Sequence, residues 1–297
     1  MNKHRAIITG ATGYIGSHLA KYLLSEGWDI HIIAQPEFGY HNIEDIKDKI
    51  DLFEYNNDID NLIGYFQSVQ ADVVFHLAAA VITNYNASQI KTLIQSNVQF
   101  GTEILEAMKH SGTSIMINTG SYWQNYNSDE YNPVDLYAAT KEAYEKIIQY
   151  YVDAHNLRVI TLRLYDIYGE DDKRPKIWSI LRDIAGTDKA LDVSPGEQHL
   201  DLVHISDVCK AYLSAYKYLS ANNQLKNETY GVCTGQLHTL KQLVMAFEKA
   251  IGKPVHINWG AKPYKQREVM NPVTTYKRLP EWKAEILPEE GFLKFKQ

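Results

Sequence analysis

Residues 9–16 read Thr9-Gly10-Ala11-Thr12-Gly13-Tyr14-Ile15-Gly16. They follow a short strand-like run, Ala6–Thr9, and open a helical stretch, Ser17–Glu26, which Gly27 closes. A strand running through a glycine turn into a helix gives three glycines at this spacing a meaning beyond a tight turn. Gly10 permits the turn, and Gly13 lets backbone N–H groups approach a pyrophosphate. Gly16 allows helix and sheet to pack closely, and the helix N-terminus offers positive potential to phosphates. The segment predicts a dinucleotide-binding unit that also includes Thr12, Tyr14 and Ile15.

The pattern continues outward. Strand-like runs Asp29–Ala34, Ile50–Tyr55, Asp72–Leu77, Ser114–Thr119 and Arg158–Leu164 alternate with helical segments Ile59–Val69, Gln89–His110 and Asp135–His155. Strands separated by helices pair in parallel through right-handed crossovers, so the expected fold is α/β with a doubly wound parallel sheet. After Tyr165 the pattern loosens into a polar Gly169–Lys176 stretch and a Pro/Gly-containing loop, Asp188–His199. Shorter elements follow, among them a helix from Thr239, where Gln242 three residues on makes a capping box. Pro263, Pro272, Pro280 and Pro288 predict a tail with little regular structure. The expected organisation is a dinucleotide-binding domain over 1–165 and a smaller C-terminal α/β substrate domain over 166–297. Segments near 202–232 are expected to return to the first domain.

The 297 residues are 45% hydrophobic and 22% charged, the balance of a chain that buries a sizeable core. A net charge of −6 without a basic run argues against nucleic acid or an anionic membrane as partner. No apolar run reaches the ~18 residues of a membrane span, and the N-terminus shows no signal-peptide core. Cys209 and Cys233 lack metal or redox spacing, and the 11 histidines form no ligand motif, so no metal is expected. The chain reads as a soluble cytoplasmic protein.

A second motif is Tyr137-Ala138-Ala139-Thr140-Lys141. Positions four apart share a helix face, so phenol and ammonium can enter one cleft. A phenol near pKa ~10 exchanges protons poorly at neutrality, and a neighbouring Lys lowers that value. Alone, Tyr-x-x-x-Lys is more often a solvated face. Downstream of a dinucleotide turn the functional reading gains.

Together these motifs resemble the short-chain dehydrogenase/reductase superfamily, and the length points to its extended branch of nucleotide-sugar epimerases, dehydratases and ketoreductases. The resemblance extends over most of the chain. His76-Leu77-Ala78-Ala79 looks like the segment flanking the cofactor. Asn97, in Asn-Val-Gln-Phe-Gly-Thr, falls where the family has one residue fewer. Leu162–Gly169, Ser194–Gln198 and Asp201–Val208 are similar to the substrate-side strand, its turn and the return to the sheet. Arg267-Glu268-Val269-Met270 resembles the late arginine motif that meets the nucleotide's phosphates.

The resemblance implies a Rossmann sheet, Tyr137 as proton donor, and Lys141 holding the nicotinamide ribose and depressing the Tyr137 pKa. It implies a Ser or Thr after the fifth strand to polarise the carbonyl. Register favours Thr119, with Ser121 in reserve. Gly120 and Ser121 stand where dehydratases carry Asp-Glu, which argues against dehydration. The Gly-Ser-Tyr-Trp-Gln stretch departs from the commoner Val-Tyr-Gly and looks closer to bacterial NDP-4-keto-6-deoxyhexose reductases of the CDP-abequose or paratose synthase kind. Trp123, Arg174, Lys176 and Arg267 are the implied substrate contacts.

At the cofactor's ribose, the second strand ends Ile33-Ala34-Gln35-Pro36, with no acid until Glu37. Losing the carboxylate that binds a 2′-OH favours NADP(H), with NAD(H) the alternative, and no arginine is there to attract a 2′-phosphate. Asp58 matches the adenine-side acid, or caps the helix at Ile59. The expected activity is reduction of a nucleotide-linked 4-keto sugar. Its rivals are a 4-epimerase and a non-catalytic NAD(P)-binding regulator. The family implies a homodimer through helices 89–110 and 135–155.

Overall fold

The computed structural model describes residues 3–36 and 39–296; Glu37 lies outside them. Seven parallel strands form the central sheet: β1 (Arg5–Thr9), β2 (Asp29–Ala34), β3 (Asp51–Glu54), β4 (Val73–His76), β5 (Ile115–Ser121), β6 (Arg158–Leu164) and β11 (Asn227–Val232). Their order is β11-β6-β5-β4-β1-β2-β3. The chain first builds outward from β1 to β3, then crosses back to β4 and builds the other way. The strand order therefore reverses between β1 and β4, the place where open α/β sheets bind ligands at the carboxyl ends of their strands. Val73, Val74, Phe75 and His76 of β4 are all buried, as expected of a strand covered on both faces.

Helices α1 (Tyr14–Ser25) and α7 (Ile205–Ala221) cover one face, and their Leu19, Leu23, Val208 and Tyr212 share a core with Ile8 and Phe75. On the other face lie α2 (Ile59–Val69), α3 (Ile90–Ile94), α4 (Phe100–Ser111) and α5 (Leu136–His155). Phe66, Ile104, Tyr144 and Ile148 from these helices pack on Ile7, Val74 and Met116.

Between α3 and α4 the expected single helix is interrupted by a π-turn, Gln95–Gln99. A π-turn takes in one extra residue without ending the helix. The one-residue excess after Asn97 sits there, so Asn97 stays buried and the Gly101 carbonyl still accepts from the Tyr144 hydroxyl at 3.1 Å.

A second core lies under the C-terminal half. Here α8 (Leu240–Ile251), opened by the expected Thr239–Gln242 capping box, sets Leu240, Leu243, Val244 and Phe247 against Trp178 and Leu181 of α6 (Ile177–Ile184). Short strand pairs knit the intervening loops. β7 (Asp166–Tyr168) pairs with β10 (Leu202–His204), β8 (Ala190–Asp192) with β13 (His256–Asn258), and β9 (His199–Leu200) with β12 (His238–Thr239). The tail departs from expectation. Pro288, fixed in φ and needing no N–H partner in the first turn, opens α9 (Pro288–Leu293), which delivers fully buried Phe292 into this core. No helix among the described residues is long and apolar enough to cross a membrane.

Candidate active site

The turn after β1 is shaped by contact as well as by conformation. Gly10 has φ +74°, and a Cβ there would lie 2.6 Å from the Ala78 nitrogen. A Cβ on Gly16 would lie 2.3 Å from the Gly10 carbonyl oxygen, so α1 can begin only this close to the turn with glycine. Gly13 caps α1 without a side-chain hydrogen bond, leaving first-turn N–H groups to the cleft. That cleft, of about 300 Å³, is lined by Thr12 and Gly13, by Ala34 and Gln35 at the end of β2, by Leu77–Ala80, and by Ser96 and Phe100. Thr9 fixes its floor: its hydroxyl bonds His76 Nδ1 at 2.8 Å and accepts from the Ala78 N–H at 3.3 Å.

Three residues expected at the cofactor have partners within the fold. Asn97 is buried with every polar atom engaged, accepting from the Ala80 N–H (2.7 Å) and donating to the Ala80 carbonyl (3.0 Å) and the Thr140 hydroxyl (2.9 Å). It ties the cleft floor to α5. Asp58 is a helix cap, accepting from the N–H groups of Asp60 and Asn61 at 3.1 and 3.2 Å. Tyr14 turns its phenol away to donate to the Glu170 carbonyl at 3.0 Å, so only its backbone remains at the turn.

A second cleft adjoins the first at Leu77 and Ala79 and contains Ile15, Thr119, Ser121, Trp123, Tyr137, Lys141, Arg174 and Lys176. Thr119 and Ser121 sit two apart on β5, facing the same side. Their hydroxyls differ in what they can still give. Thr119 donates its proton to the His76 carbonyl at 2.7 Å, so the Tyr212 hydroxyl, also at 2.7 Å, must be the donor to Thr119. Ser121 Oγ accepts from the Trp123 N–H at 3.2 Å, and its proton is directed to the Tyr137 phenol at the cleft. The Thr119 proton is thus committed inside the fold, while that of Ser121 stays at the cleft beside Tyr137.

Tyr137 is buried at the N-terminal turn of α5. Burial and then the Asp135 charge push its phenol upward, and the Ser121 hydroxyl pulls it partly back. Lys141 is not among the groups that act on the phenol here. The phenol is a protonated donor at neutral pH. Burial pulls the Lys141 ammonium down to about 8, against the opposing charge of Glu145. No hydrogen bond or ion pair among the described residues engages that ammonium, which lines the cleft. An uncapped helix start, a glycine cradle and an unengaged buried ammonium fit a dinucleotide's phosphates and ribose.

On the substrate side, Arg174 is held by Asp172 through bonds of 2.8 and 2.7 Å and lies over the Tyr14 ring, which lowers its availability. Lys176 forms no ion pair within 4 Å among the described residues. Arg267 does not line this cleft. It bonds Asn132, stacks 4.3 Å over Tyr126, and leaves its buried Nε unpaired. Sequence reasoning missed Gln124, Glu142, Glu145 and Arg163, a buried polar cluster behind Ser121.

The model of the NAD dependent epimerase/dehydratase family matches residues 6–233. The chain belongs to that family. A CDP-abequose synthase of Yersinia pseudotuberculosis is 30% identical over 93% of the chain and 94% of its own length. Another, of Salmonella muenchen, is 27% identical over 98% and 96%. In fold, the chain is similar to the UDP-glucose 4-epimerase of Thermotoga maritima, with TM-score 0.84, 20% identity and coverage of 98% and 97%. It is also similar to the Thermus thermophilus UDP-glucose 4-epimerase solved with NAD, with TM-score 0.77, 21% identity and 98% of each chain covered. At that identity the solved structures speak for the fold alone, and the clefts are this chain's own.

Proposed function

We propose that the protein reduces the 4-keto group of a nucleotide-linked 6-deoxyhexose with a nicotinamide cofactor. The observation that carries the reading is the pair of proton-bearing hydroxyls, Tyr137 and Ser121, on the wall of the cleft that continues from the glycine turn. The bound nicotinamide would supply hydride. Ser121 donates a hydrogen bond to the carbonyl oxygen and polarises it. Tyr137 then gives its proton to the same oxygen as negative charge develops there. Lys141 offers donors to the cofactor's ribose. Thr119, whose proton is committed, holds β5 against β4 and α7.

The likeness to CDP-abequose synthases supports reduction. Lys176 and Trp123, which line the cleft, are our choice for the nucleotide side, with Arg174 shaping the loop and Arg267 kept on its motif alone. We assign NADP(H) a modest preference over NAD(H), because Gln35 brings no carboxylate and no cation lines the first cleft. A homodimer through the helices at 89–110 and 135–155 is supported by exposed Ile90, Ile94 and Tyr150. The reading is tested by offering a panel of NDP-4-keto-6-deoxy sugars and following NADPH absorbance. Consumption with at least one of them is expected, and none with any would overturn it.

A further inference from the structure

Behind Ser121 lies a buried cluster that the mechanism does not use. The Ser121 N–H donates to Gln124 Oε1 at 2.9 Å. The Gln124 amide donates in turn to Glu142 Oε2 at 2.8 Å and Glu145 Oε1 at 3.0 Å. Arg163, at the end of β6, donates to the same two carboxylates at 3.2 and 2.8 Å. Gln124 is 0% exposed, and Glu145 stands one helical turn beyond Lys141 on α5. Gly120 makes room, since a Cβ there would lie 3.1 Å from Glu145 Oε1 and from Arg163 Cδ. Thus Gly120 and Gln124, both within the stretch that departs from Val-Tyr-Gly, form a matched pair. One admits the cluster, and the other bonds it to the Ser121 turn.

We propose that Gln124 is a positioning residue, its amide joining the Ser121 turn to the Glu142–Glu145–Arg163 cluster and so fixing Ser121 and Lys141 relative to each other on either side of Tyr137. The positions it fixes matter through the function proposed above, and the inference rests on that reading. The charges facing Glu145 are Lys141, Glu142 and Lys146 on its own helix, Arg163 from β6, and Tyr276 from the C-terminal segment. Burial pushes the Glu145 carboxyl up to about 7, with Arg163 opposing. Donation from Gln124 favours its ionised form, and an ionised Glu145 in turn favours the Lys141 ammonium. Without the amide, Glu145 holds its proton to higher pH, and Lys141 loses its own at lower pH.

The test compares wild type with Gln124→Met, which keeps the length of the side chain and removes its hydrogen bonds. NADPH dissociation constants measured by fluorescence from pH 6 to 10 need no sugar. Wild-type affinity should weaken as pH rises through about 8. In Gln124→Met the break should move ~0.5–1 pH unit lower, with affinity at pH 6 within about threefold. With a sugar that wild type reduces, kcat should fall ~10–100-fold and KM change less than about threefold. A folded Gln124→Met with an unmoved break and native kcat overturns the proposal. Gln124→Glu covers a methionine variant that does not fold. Its carboxyl can donate only while protonated, so affinity near native in acid and lost toward neutrality supports the role, and a wild-type pH profile refutes it. If wild type turns over no 4-keto sugar, the functional reading fails, while the binding profiles still decide the role of Gln124.

Discussion

Ser121→Ala and Thr119→Val should separate a reacting hydroxyl from a structural one. In Ser121→Ala, the hydroxyl beside Tyr137 is gone, and with it the partner of the Trp123 N–H and of the phenol. A donor preorganised toward a developing oxyanion contributes ~10²–10³ in kcat, about 2.7–4 kcal/mol. That loss should appear with little change in Tm. Thr119→Val keeps the shape but leaves the His76 carbonyl and the Tyr212 hydroxyl, both at 2.7 Å, without their partner. Each orphaned buried group costs ~1–3 kcal/mol. At about 2 °C per kcal/mol for a chain this long, Tm should fall by ~4–12 °C, with kcat in the folded variant changing less than about fivefold. Steady-state kinetics on a 4-keto sugar and a thermal melt of each variant provide the readout. A Ser121→Ala enzyme of near-native kcat, beside a Thr119→Val enzyme of native Tm and hundredfold lower kcat, would refute the proton count.

Tyr137→Phe should keep NADPH affinity within a few-fold and lose ~10²–10⁴ in turnover, since only the donated proton disappears; near-native activity would assign the acid elsewhere. Arg267→Ala should weaken nucleotide-sugar binding and leave NADPH binding intact, because its motif resembles the one that meets the nucleotide's phosphates and a guanidinium can give a diphosphate two donors. Equal loss for both nucleotides would place it on the cofactor side. His76 is pulled down to about 3 by burial and by the Lys141 charge, so between about 6.5 and 3 only the unfolded chain takes up its proton. Stability should therefore fall as pH drops through that window, by at most ~1.4 kcal/mol per unit for this group. Urea unfolding at pH 7 and pH 4.5 should show a smaller difference for His76→Asn than for wild type, and an equal one would put the acid sensitivity in other groups.

The glycine turn and the strand–helix alternation were legible in the sequence because both are local: period and turn chemistry lie within a dozen residues. The same holds for the Thr239 capping box. The extra residue after Asn97 was visible too, though not that a π-turn would absorb it. What was not legible depends on partners far along the chain. Thr119 looks better than Ser121 until Tyr212 arrives from α7, 93 residues later, and takes up its oxygen. Asn97 carries family resemblance, but its bonds to Ala80 and Thr140 make it a strut. Gln124 gave no signal beyond lying in the Gly-Ser-Tyr-Trp-Gln stretch, since its partners come from α5. The helix at Pro288 was masked by the prolines around it, because Phe292 gains its place only from a core assembled by α6 and α8.

The central claim is net reduction at sugar C4. It is tested most directly by incubating the protein with a CDP-linked 4-keto-6-deoxyhexose and NADPH deuterated at the nicotinamide C4, then measuring cofactor consumed and label in the product. The expected result is protein purified without retained NAD, stoichiometric oxidation of NADPH, and deuterium on sugar C4. Tightly held NAD with interconversion of sugar epimers and no net change in cofactor would contradict it.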